Sequence, residues 1–446
     1  MHSSPAIFLV GALACATAAT DEQAQPAAHA KRDPDLSRFI EAKRRQEESY
    51  EKELKQVWPI TMEVNGAVEE FRKWDNKLLH QFGDGIINSI PSNSIYFGGT
   101  DAGQFIVTAL SKSHQDGQPF FTLTQNALPD DMYLDYLRSM YGKRIHIPGK
   151  EDSERALQTY IADVQRRSEH DRKFPAEPRQ LRPGEEPRAL DDAGPLRGQM
   201  AVIAVKGLLS KIIFDKNPDR EFYVEEGFPL DWMNPHLSPQ GLILKINREP
   251  LPQITEETAR KDHEFWSRYT EQLIGWPITY DPSVKELCDF VEKVYLRKDL
   301  KDFKGEPAFP RNDAAQRAFS KLRSSIAGLY HWRVAGAKTA TERQRMFKEA
   351  EFGFKQAYAL CPASPESLFR YINLLVGAGQ IDDAILLATT ALKLDPANTQ
   401  VENLIKELDR IRQPQRLPEQ PAKKLLIRGM QREPDPYSFN AEGSRS

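Results

Sequence analysis

The chain has few cysteines, and this scarcity excludes a fold that is held together by disulfide bonds. Three cysteines occur in 446 residues, and only Cys288 and Cys361 lie beyond the N-terminal segment. Two cysteines do not make a disulfide framework. We expect both side chains to be buried as small apolar groups.

Several familiar catalytic and metal-binding patterns are also missing. The 9 histidines never occur at HxxxH or HxH spacing, which argues against a zinc site. The chain has no Gly-x-Ser-x-Gly elbow and no phosphate loop ending in Gly-Lys-Ser/Thr. We therefore predict no metal, no cofactor and no catalytic residue, and we favour a protein that is not an enzyme.

Charge of one sign is not in excess either. Lys and Arg total 61, Asp and Glu total 64, and the net charge is −3. This balance creates no overall field that would attract nucleic acid or an anionic membrane. Beyond the N-terminus, no apolar run reaches the roughly 18 residues that cross a bilayer.

The N-terminus is typical of an export signal. Residues 6–14 are apolar, and residues 16–18 (Ala-Thr-Ala) fit the small-x-small pattern of signal peptidase. We expect residues 1–20 to be a signal peptide and the protein to be secreted or periplasmic. Cys15 leaves a lipid-anchored form open, and an uncleaved anchor is a third alternative.

The rest of the chain changes pattern several times, which predicts an α/β domain followed by an all-α module. Alternating strand and helix patterns favour a Rossmann-like parallel sheet with right-handed crossovers. A proline-rich stretch at 165–197 interrupts the pattern and predicts a flexible insertion. The predicted segments are a charged helical segment (21–75), the α/β domain (76–255), a helical connector (256–335), tetratricopeptide-like repeats (336–412) and a disordered tail (413–446).

Short apolar runs and amphipathic runs place the elements of the α/β domain. Asp130 and Asp131 lie where a helix N-terminus favours carboxylates. The predicted strands are 94–97, 120–124, 221–224 and 242–246, and the predicted helices are 104–110, 130–141 and 201–214.

Polar loops follow the first two predicted strands and form the candidate ligand site. Ligands of open parallel sheets lie beyond the carboxyl ends of the strands, and a glycine turn before a helix offers N–H groups to an anion. Alternatively, the glycines only form a tight turn and Asp101 only caps the helix. The candidate ligand-binding residues are Gly98, Gly99, Thr100, Asp101, Gln125 and Asn126.

Two further hypotheses concern single side chains. Asp101 with Asp130 or Asp131 could form a catalytic carboxylate pair, although no spacing requires it. Trp232, in a loop rich in proline and aromatic residues, is expected to be a packed plug, with stacking on a sugar as the alternative.

Two segments near the C-terminus repeat at a spacing of 34 residues. This period, with small residues at fixed offsets and a closing proline, is typical of tetratricopeptide helical hairpins. One interpretation is a concave face, including Arg370 and Asn373, that binds a protein or peptide. The other is that the hairpins brace the α/β domain. The repeat-defining residues are Ala350, Phe354, Ala357, Pro362, Ala384, Ala391 and Pro396.

Three segments, 90–101, 123–128 and 217–224, resemble the soluble C-terminal region of bacterial protein O-mannosyltransferase-like membrane proteins. Residues 320–330 and the repeats are similar to uncharacterised bacterial tetratricopeptide proteins. The family's catalytic part is a multi-helix membrane region that has no counterpart in this sequence. The resemblance therefore implies an envelope protein that works beside glycan or polymer assembly, without glycosyltransferase activity.

These observations predict a non-catalytic, secreted or envelope-associated protein that binds a protein or peptide partner through its repeats. The alternative is an accessory protein of envelope glycosylation that binds a glycan or a small anionic ligand. Neither interpretation includes nucleic acid, and neither requires a transmembrane helix beyond the N-terminal signal.

Overall fold

The structure, a computed structural model, covers most of the chain between residues 57 and 412. The described residues are 57, 59–99, 101–111, 113, 117–182, 185, 199–226 and 232–412. The predicted signal peptide with Cys15, the predicted tail and Thr100 lie outside these ranges, as do residues 186–197 of the predicted insertion. Of the predicted helical segment at 21–75, residues 59–73 are described as helical.

A mixed sheet of five strands forms the centre of the α/β part of the described chain. The strands are β1 (Ile95–Gly98), β2 (Phe121–Thr124), β3 (Phe222–Val224), β4 (Leu237–Gln240) and β5 (Ile243–Ile246). Their order is β2-β1-β3-β5-β4. β1 pairs in parallel with β2 and β3, whereas β5 is antiparallel to both β3 and β4. The predicted parallel arrangement therefore holds for three strands, and an antiparallel hairpin extends the sheet.

The hairpin of β4 and β5 turns tightly at Gly241. Gln240 pairs with Ile243, and Gly241 has φ +61°, a conformation that glycine adopts without steric cost. β4 contains Pro239 and lies at the edge of the sheet, where a missing N–H does not interrupt the ladder. The proline explains why the sequence pattern did not predict this strand.

Five helices of the described chain pack around the sheet, and amphipathic runs predicted three of them, at 104–110, 130–141 and 201–214. Asp130 caps one of them, since its carboxylate accepts the N–H of Met132 at 2.8 Å, as expected for a helix N-terminus. Asp75 caps another by accepting the N–H of Lys77 at 2.9 Å. These helices are α1 (Asn76–Ile87), α2 (Ala102–Ser111), α3 (Asp131–Tyr141), α4 (Lys150–Lys173) and α5 (Gln199–Lys216).

The predicted insertion at 165–197 begins too early, because residues 165–173 are the end of α4. This helix is highly charged and buries few side chains, so its sequence carries little apolar periodicity. After the helix the chain returns to it, and the guanidinium of Arg167 donates to the buried carboxylate of Glu185. The start of the predicted insertion is thus ordered structure.

Residues 256–335, the predicted helical connector, are mostly helical in the structure. Its elements are α6 (Glu256–Ile274), α7 (Val284–Val291), a π-helical turn (Glu292–Leu296) and α8 (Asp313–Gly336).

Four helices follow in the repeat module, and successive helices pack against each other. They are α9 (Ala340–Leu360), α10 (Pro365–Gly377), α11 (Ile381–Leu394) and α12 (Thr399–Arg412). Most of the repeat-defining residues are buried, and only the second closing proline, Pro396, is exposed. The small side chains therefore lie where helices approach closely.

The turn that separates the first two helices of this module is short, because α8 runs to Gly336 and α9 begins at Ala340. A strict 34-residue period would place this turn at 344–346, in register with the later turn at 378–380. The observed turn is about two helical turns earlier. The first helical pair is therefore α8 and α9, with the boundary between them displaced.

Helix α8 joins the two parts of the described chain. On one side it packs against β4, β5 and α1, and on the other against α9 and α10. Because α8 is shared, the described residues from Glu63 onward form one compact unit. Within the described part of the chain, no helix combines the length and apolar composition needed to cross a membrane.

Candidate functional site

The carboxyl ends of three parallel strands lie side by side at one edge of the sheet. Gly98 at the end of β1 pairs with Thr124 at the end of β2, and Phe97 pairs with Val224 of β3. The loops after these strands therefore begin at the same edge, as predicted for the first two strands. The third strand, β3, was not part of that prediction.

Four charged side chains meet where β1 and β3 end, and we call them the acidic cluster: Asp101, Glu225, Glu226 and Lys321. The ammonium of Lys321 donates to Oδ2 of Asp101. It lies 3.1 Å from Oε1 of Glu226 and 3.7 Å from Oε1 of Glu225. The Glu225 side chain is 2% exposed, whereas the other three keep 13–23% of their side-chain surface. The cluster is therefore mostly buried but open to solvent on one side.

Two glycines of the predicted turn make room for these carboxylates. The N–H of Gly99 donates to Oε2 of Glu225 at 2.7 Å, and the N–H of Gly103 donates to Oδ1 of Asp101 at 3.2 Å. A Cβ on Gly103 would lie 2.0 Å from the Glu225 carboxyl carbon. The N–H group of Gly99 that was predicted to bind an anion is therefore occupied by a carboxylate of the chain itself.

Burial and mutual repulsion separate the pKa values of the two adjacent acids. Burial raises the pKa of Glu225 well above 4.5, and the neighbouring Asp101 carboxylate raises it further. Burial also acts to raise the pKa of Asp101, but Lys321 and a hydrogen bond from Glu225 outweigh it, so this pKa falls below 3.8. Glu225 is thus the acid that retains a proton, and Asp101 is the one that ionises.

The pKa values of Lys321 and Glu226 are also shifted by burial and by their charged neighbours. Burial acts to lower the pKa of Lys321, but its three carboxylate neighbours raise it well above 10.5. The pKa of Glu226 is raised, first by burial and then by Glu366 and Asp101, against the opposing effect of Lys321. The lysine therefore stays protonated and compensates part of the negative charge.

The candidate residues after β2 have a different lysine neighbour. Oδ1 of Asn126 accepts from Nζ of Lys206 in α5 at 2.6 Å, and Lys206 is 4% exposed. Gln125 is 1% exposed. The carboxyl ends of the parallel strands therefore carry two sets of polar side chains, one in which Lys321 contacts Asp101 and one in which Lys206 contacts Asn126. Thr100 lies outside the described residues.

The proposed pairing of Asp101 with Asp130 or Asp131 is not the carboxylate pair that forms. Asp130 caps α3, and Asp131 is an exposed first-turn residue of that helix. Asp101 instead shares its hydrogen bond with Glu225. Among the described residues, no group of three or more His, Cys, Asp or Glu side chains has an arrangement that could hold a metal ion.

Trp232 packs as the predicted plug. Its ring centroid lies 5.1 Å from that of Phe214 and 6.1 Å from that of His236, and its Nε1–H donates to Oγ of Ser210 at 3.3 Å. The ring of Trp232 and its N–H group are therefore both engaged by other residues of the chain. Asp231, the preceding residue, lies outside the described residues.

The acidic cluster continues into the repeat helices through one face of α8. Ser324 and Gly328 follow Lys321 at spacings of three and seven, which place them on the same helical face. The guanidinium of Arg370 in α10 donates to the carbonyl of Ser324 at 3.4 Å and pairs with Glu366 at 2.8 Å. Because Gly328 has no Cβ, Arg370 can lie close against α8.

Comparison with known proteins gave no match to a family model, a curated protein or a solved structure. The function must therefore be inferred from the geometry of these residues.

Proposed function

We propose that this chain is a non-catalytic binding protein that holds a protein or peptide partner on the first-helix side of its repeats. We call this surface the inner face: Lys321 and Gly328 of α8 with Glu366, Arg370 and Asn373 of α10. One observation carries the proposal. The opposite side of the repeats is covered by α7, which packs on α9 and α11, whereas Glu366, Arg370 and Asn373 on α10 remain partly exposed.

Helix packing supports a tetratricopeptide-like array. α10 packs against α8, α9 and α11, which is the set of neighbours that the first helix of a second hairpin has in such an array. Two hairpins are fewer than a free-standing array needs. The connector helices supply the missing support, so the hairpins can both brace the α/β part and bind a partner through the inner face.

The charges of the inner face indicate the chemistry of the partner. Glu366 and Arg370 pair with each other, and the nearby carboxylates of the acidic cluster outnumber Lys321. A segment with a basic side chain would therefore gain more from this surface than an acidic one.

A glycan at the sheet edge is the second candidate. It is favoured by the partial exposure of Asp101 and Glu226 at the carboxyl ends of parallel strands, since carboxylates fix the orientation of polar ligands. An anionic ligand fits less well, because it would face the acidic side chains of Asp101 and Glu226 and would have to displace Glu225 from Gly99.

We further propose that the parallel half of the sheet is Rossmann-like and that the protein acts in a bacterial envelope, beside glycan or polymer assembly. The envelope location rests on the signal-like residues 1–20 and on the resemblance of 90–101, 123–128 and 217–224 to envelope proteins.

Site-specific photo-crosslinking tests the partner-binding role. A photoreactive amino acid replaces Asn373 on the inner face, and in a control chain it replaces the exposed Lys285 of α7 on the covered side. We expect discrete crosslinked species from position 373 alone. Equal patterns from both positions, or none from 373, would contradict the proposal. A thermal-shift screen of neutral sugars tests the glycan alternative separately.

A further inference from the structure

A pocket away from the acidic cluster lies between the end of α6, helix α7 and the loop 299–304. Its volume is about 290 Å³, just below the usual range for small-molecule sites. Ile274 and Val294 are buried and form part of its floor. The rings of Trp276 and Phe290 line it with their centroids 4.9 Å apart.

Three lysines line the same pocket: Lys293, Lys301 and Lys304. Among the described residues, none of their ammonium groups forms an ion pair. Nζ of Lys293 donates to the carbonyl of Lys301 at 3.2 Å, which ties the loop to the helix. The ammonium groups of Lys301 and Lys304 have no hydrogen-bond partner in the described part of the chain.

Two of the three acids in the pocket wall are engaged by local structure. Glu286 accepts from the backbone N–H of Ser283 at 2.8 Å and from its hydroxyl at 2.7 Å. Asp299 accepts the backbone N–H of Lys301 at 3.0 Å. The formal charges of the wall therefore balance, three lysines against three acids, but the ammonium groups of Lys301 and Lys304 keep their hydrogen-bonding capacity for a ligand.

The backbone around the pocket is preorganised. Gly275 ends α6 in the left-handed conformation and lies so close to Gly305 that a Cβ on either would fall 2.5 Å from the other's nitrogen. The N–H of Glu306 donates to the carbonyls of Gln272 and Leu273. The loop is therefore fixed to the end of α6, and a ligand would not have to order it.

Lys293 and Val294 reach the pocket from the π-helical turn after α7. Such turns are rare and occur frequently at functional sites, because the extra residue redirects the side chains that follow. This observation is independent of the charge and of the aromatic lining.

We infer that this pocket binds a small organic anion with a single aromatic ring or an apolar body of similar size. The ring would contact Trp276 and Phe290, and the acidic group would take hydrogen bonds from Lys301 and Lys304 at the rim. The inference does not depend on the proposed partner binding, because α7 lies on the covered side of the repeats.

Saturation-transfer NMR with the full chain tests this site, with phenylacetate as the probe and the neutral phenylacetamide as its uncharged counterpart. We expect saturation transfer to phenylacetate and weaker transfer to the amide. In K301Q/K304Q the dissociation constant for phenylacetate should rise about tenfold, because hydrogen bonds to a charged group are lost. Both lysines are exposed, so the variant should fold normally.

A matched control removes the same charge without touching the pocket wall. R297Q/K298Q changes two exposed residues of the adjacent turn, and it should bind phenylacetate like the unaltered chain. No transfer to phenylacetate, equal transfer to the amide, or unchanged affinity in K301Q/K304Q would overturn the assignment. An equal loss in both double variants would also overturn it, since that would indicate a general charge effect.

Discussion

Arg323 and Asp262 form an ion pair that is almost entirely removed from water. Nη1 of Arg323 lies 2.9 Å from Oδ2 of Asp262, and their side chains are 0% and 1% exposed. Gln356 accepts from Nε of Arg323 at 2.7 Å, and the Tyr330 hydroxyl donates to Asp262 at 3.2 Å. The pair joins α6 to α8, and Gln356 extends the network to α9.

Removing one partner of this pair should be strongly destabilising. Asp262→Ala leaves the Arg323 charge buried without compensation, so we expect a loss of about 3–5 kcal/mol in the free energy of unfolding. The double variant D262A/R323M should lose less, because no charge remains buried. Urea unfolding followed by circular dichroism measures both.

The same helix offers a matched control for the ion pair. Glu257 pairs with Lys261 at 2.7 Å, and both side chains are 67% exposed. Glu257→Ala should leave the free energy of unfolding nearly unchanged, because solvent screens an exposed ion pair. Similar losses for Asp262→Ala and Glu257→Ala would show that the buried pair has no special role.

Glu225 should make the protein less stable as the pH rises above 4.5. Its pKa is raised in the folded chain, so above 4.5 the folded state holds a proton that the unfolded state has released. Stability from this group is complete below the unfolded pKa and is lost as the pH rises through the folded pKa. Glu225→Gln, which imitates the protonated acid, should therefore gain in melting temperature relative to the unaltered chain as the pH rises.

Melting temperatures of Glu225→Gln and the unaltered chain, measured in steps from pH 5 to pH 9, check this prediction. Glu154→Gln, at an exposed position in α4, is the control and should show no such trend. A difference between Glu225→Gln and the unaltered chain that stays constant over this range would mean that Glu225 is ionised throughout.

Gly103→Ala should disturb the acidic cluster by steric overlap. The added Cβ would lie 2.0–2.2 Å from the atoms of the Glu225 carboxyl group, which is held by Gly99 on its other side. We expect a loss of about 1–3 kcal/mol in the free energy of unfolding, typical of overpacking. Gly377→Ala, at an exposed helical position with no atom within 4 Å, should be neutral or slightly stabilising. Equal effects of the two substitutions would refute the proposed overlap.

Cys288 and Cys361 should be unreactive towards Ellman's reagent until the protein unfolds. They are 3% and 2% exposed, and burial raises the pKa of Cys288 to about 11 and that of Cys361 to about 12. At pH 8 only about 0.1% or less of each thiol would be ionised. In a Cys15→Ser variant we expect no fast reaction in buffer and two reacting thiols in urea. Rapid reaction in buffer would mean that one site opens easily.

The sequence was most informative where local chemistry decides the structure. Asp130 was placed at a helix N-terminus because a carboxylate there accepts backbone N–H groups, and it does so. Helix α4 was missed because its charged residues give no apolar stripe, and β4 because Pro239 is atypical of a strand. For β4 the pairing with β5, rather than local preference, stabilises the segment.

Only part of the candidate site could be predicted from the sequence. Asp101 was found because it follows a predicted strand and a glycine turn. Glu225 and Glu226 follow the strand at 222–224 in the same way and could have been found by that rule. Lys321 could not, because it lies 220 residues beyond Asp101 on a helix that only the tertiary fold brings to the sheet.

Helix α8 is shared between the sheet edge and the repeats, and this has a thermodynamic consequence. Lys321 contacts the acids of the sheet, and one helical turn later Ser324 contacts Arg370 of α10. If a bound partner displaces this helix, Lys321 moves relative to Glu225 and the pKa of Glu225 changes. By reciprocity the same free energy couples the two events in both directions. The pH of the surroundings would then change the affinity of the repeats for a bound partner.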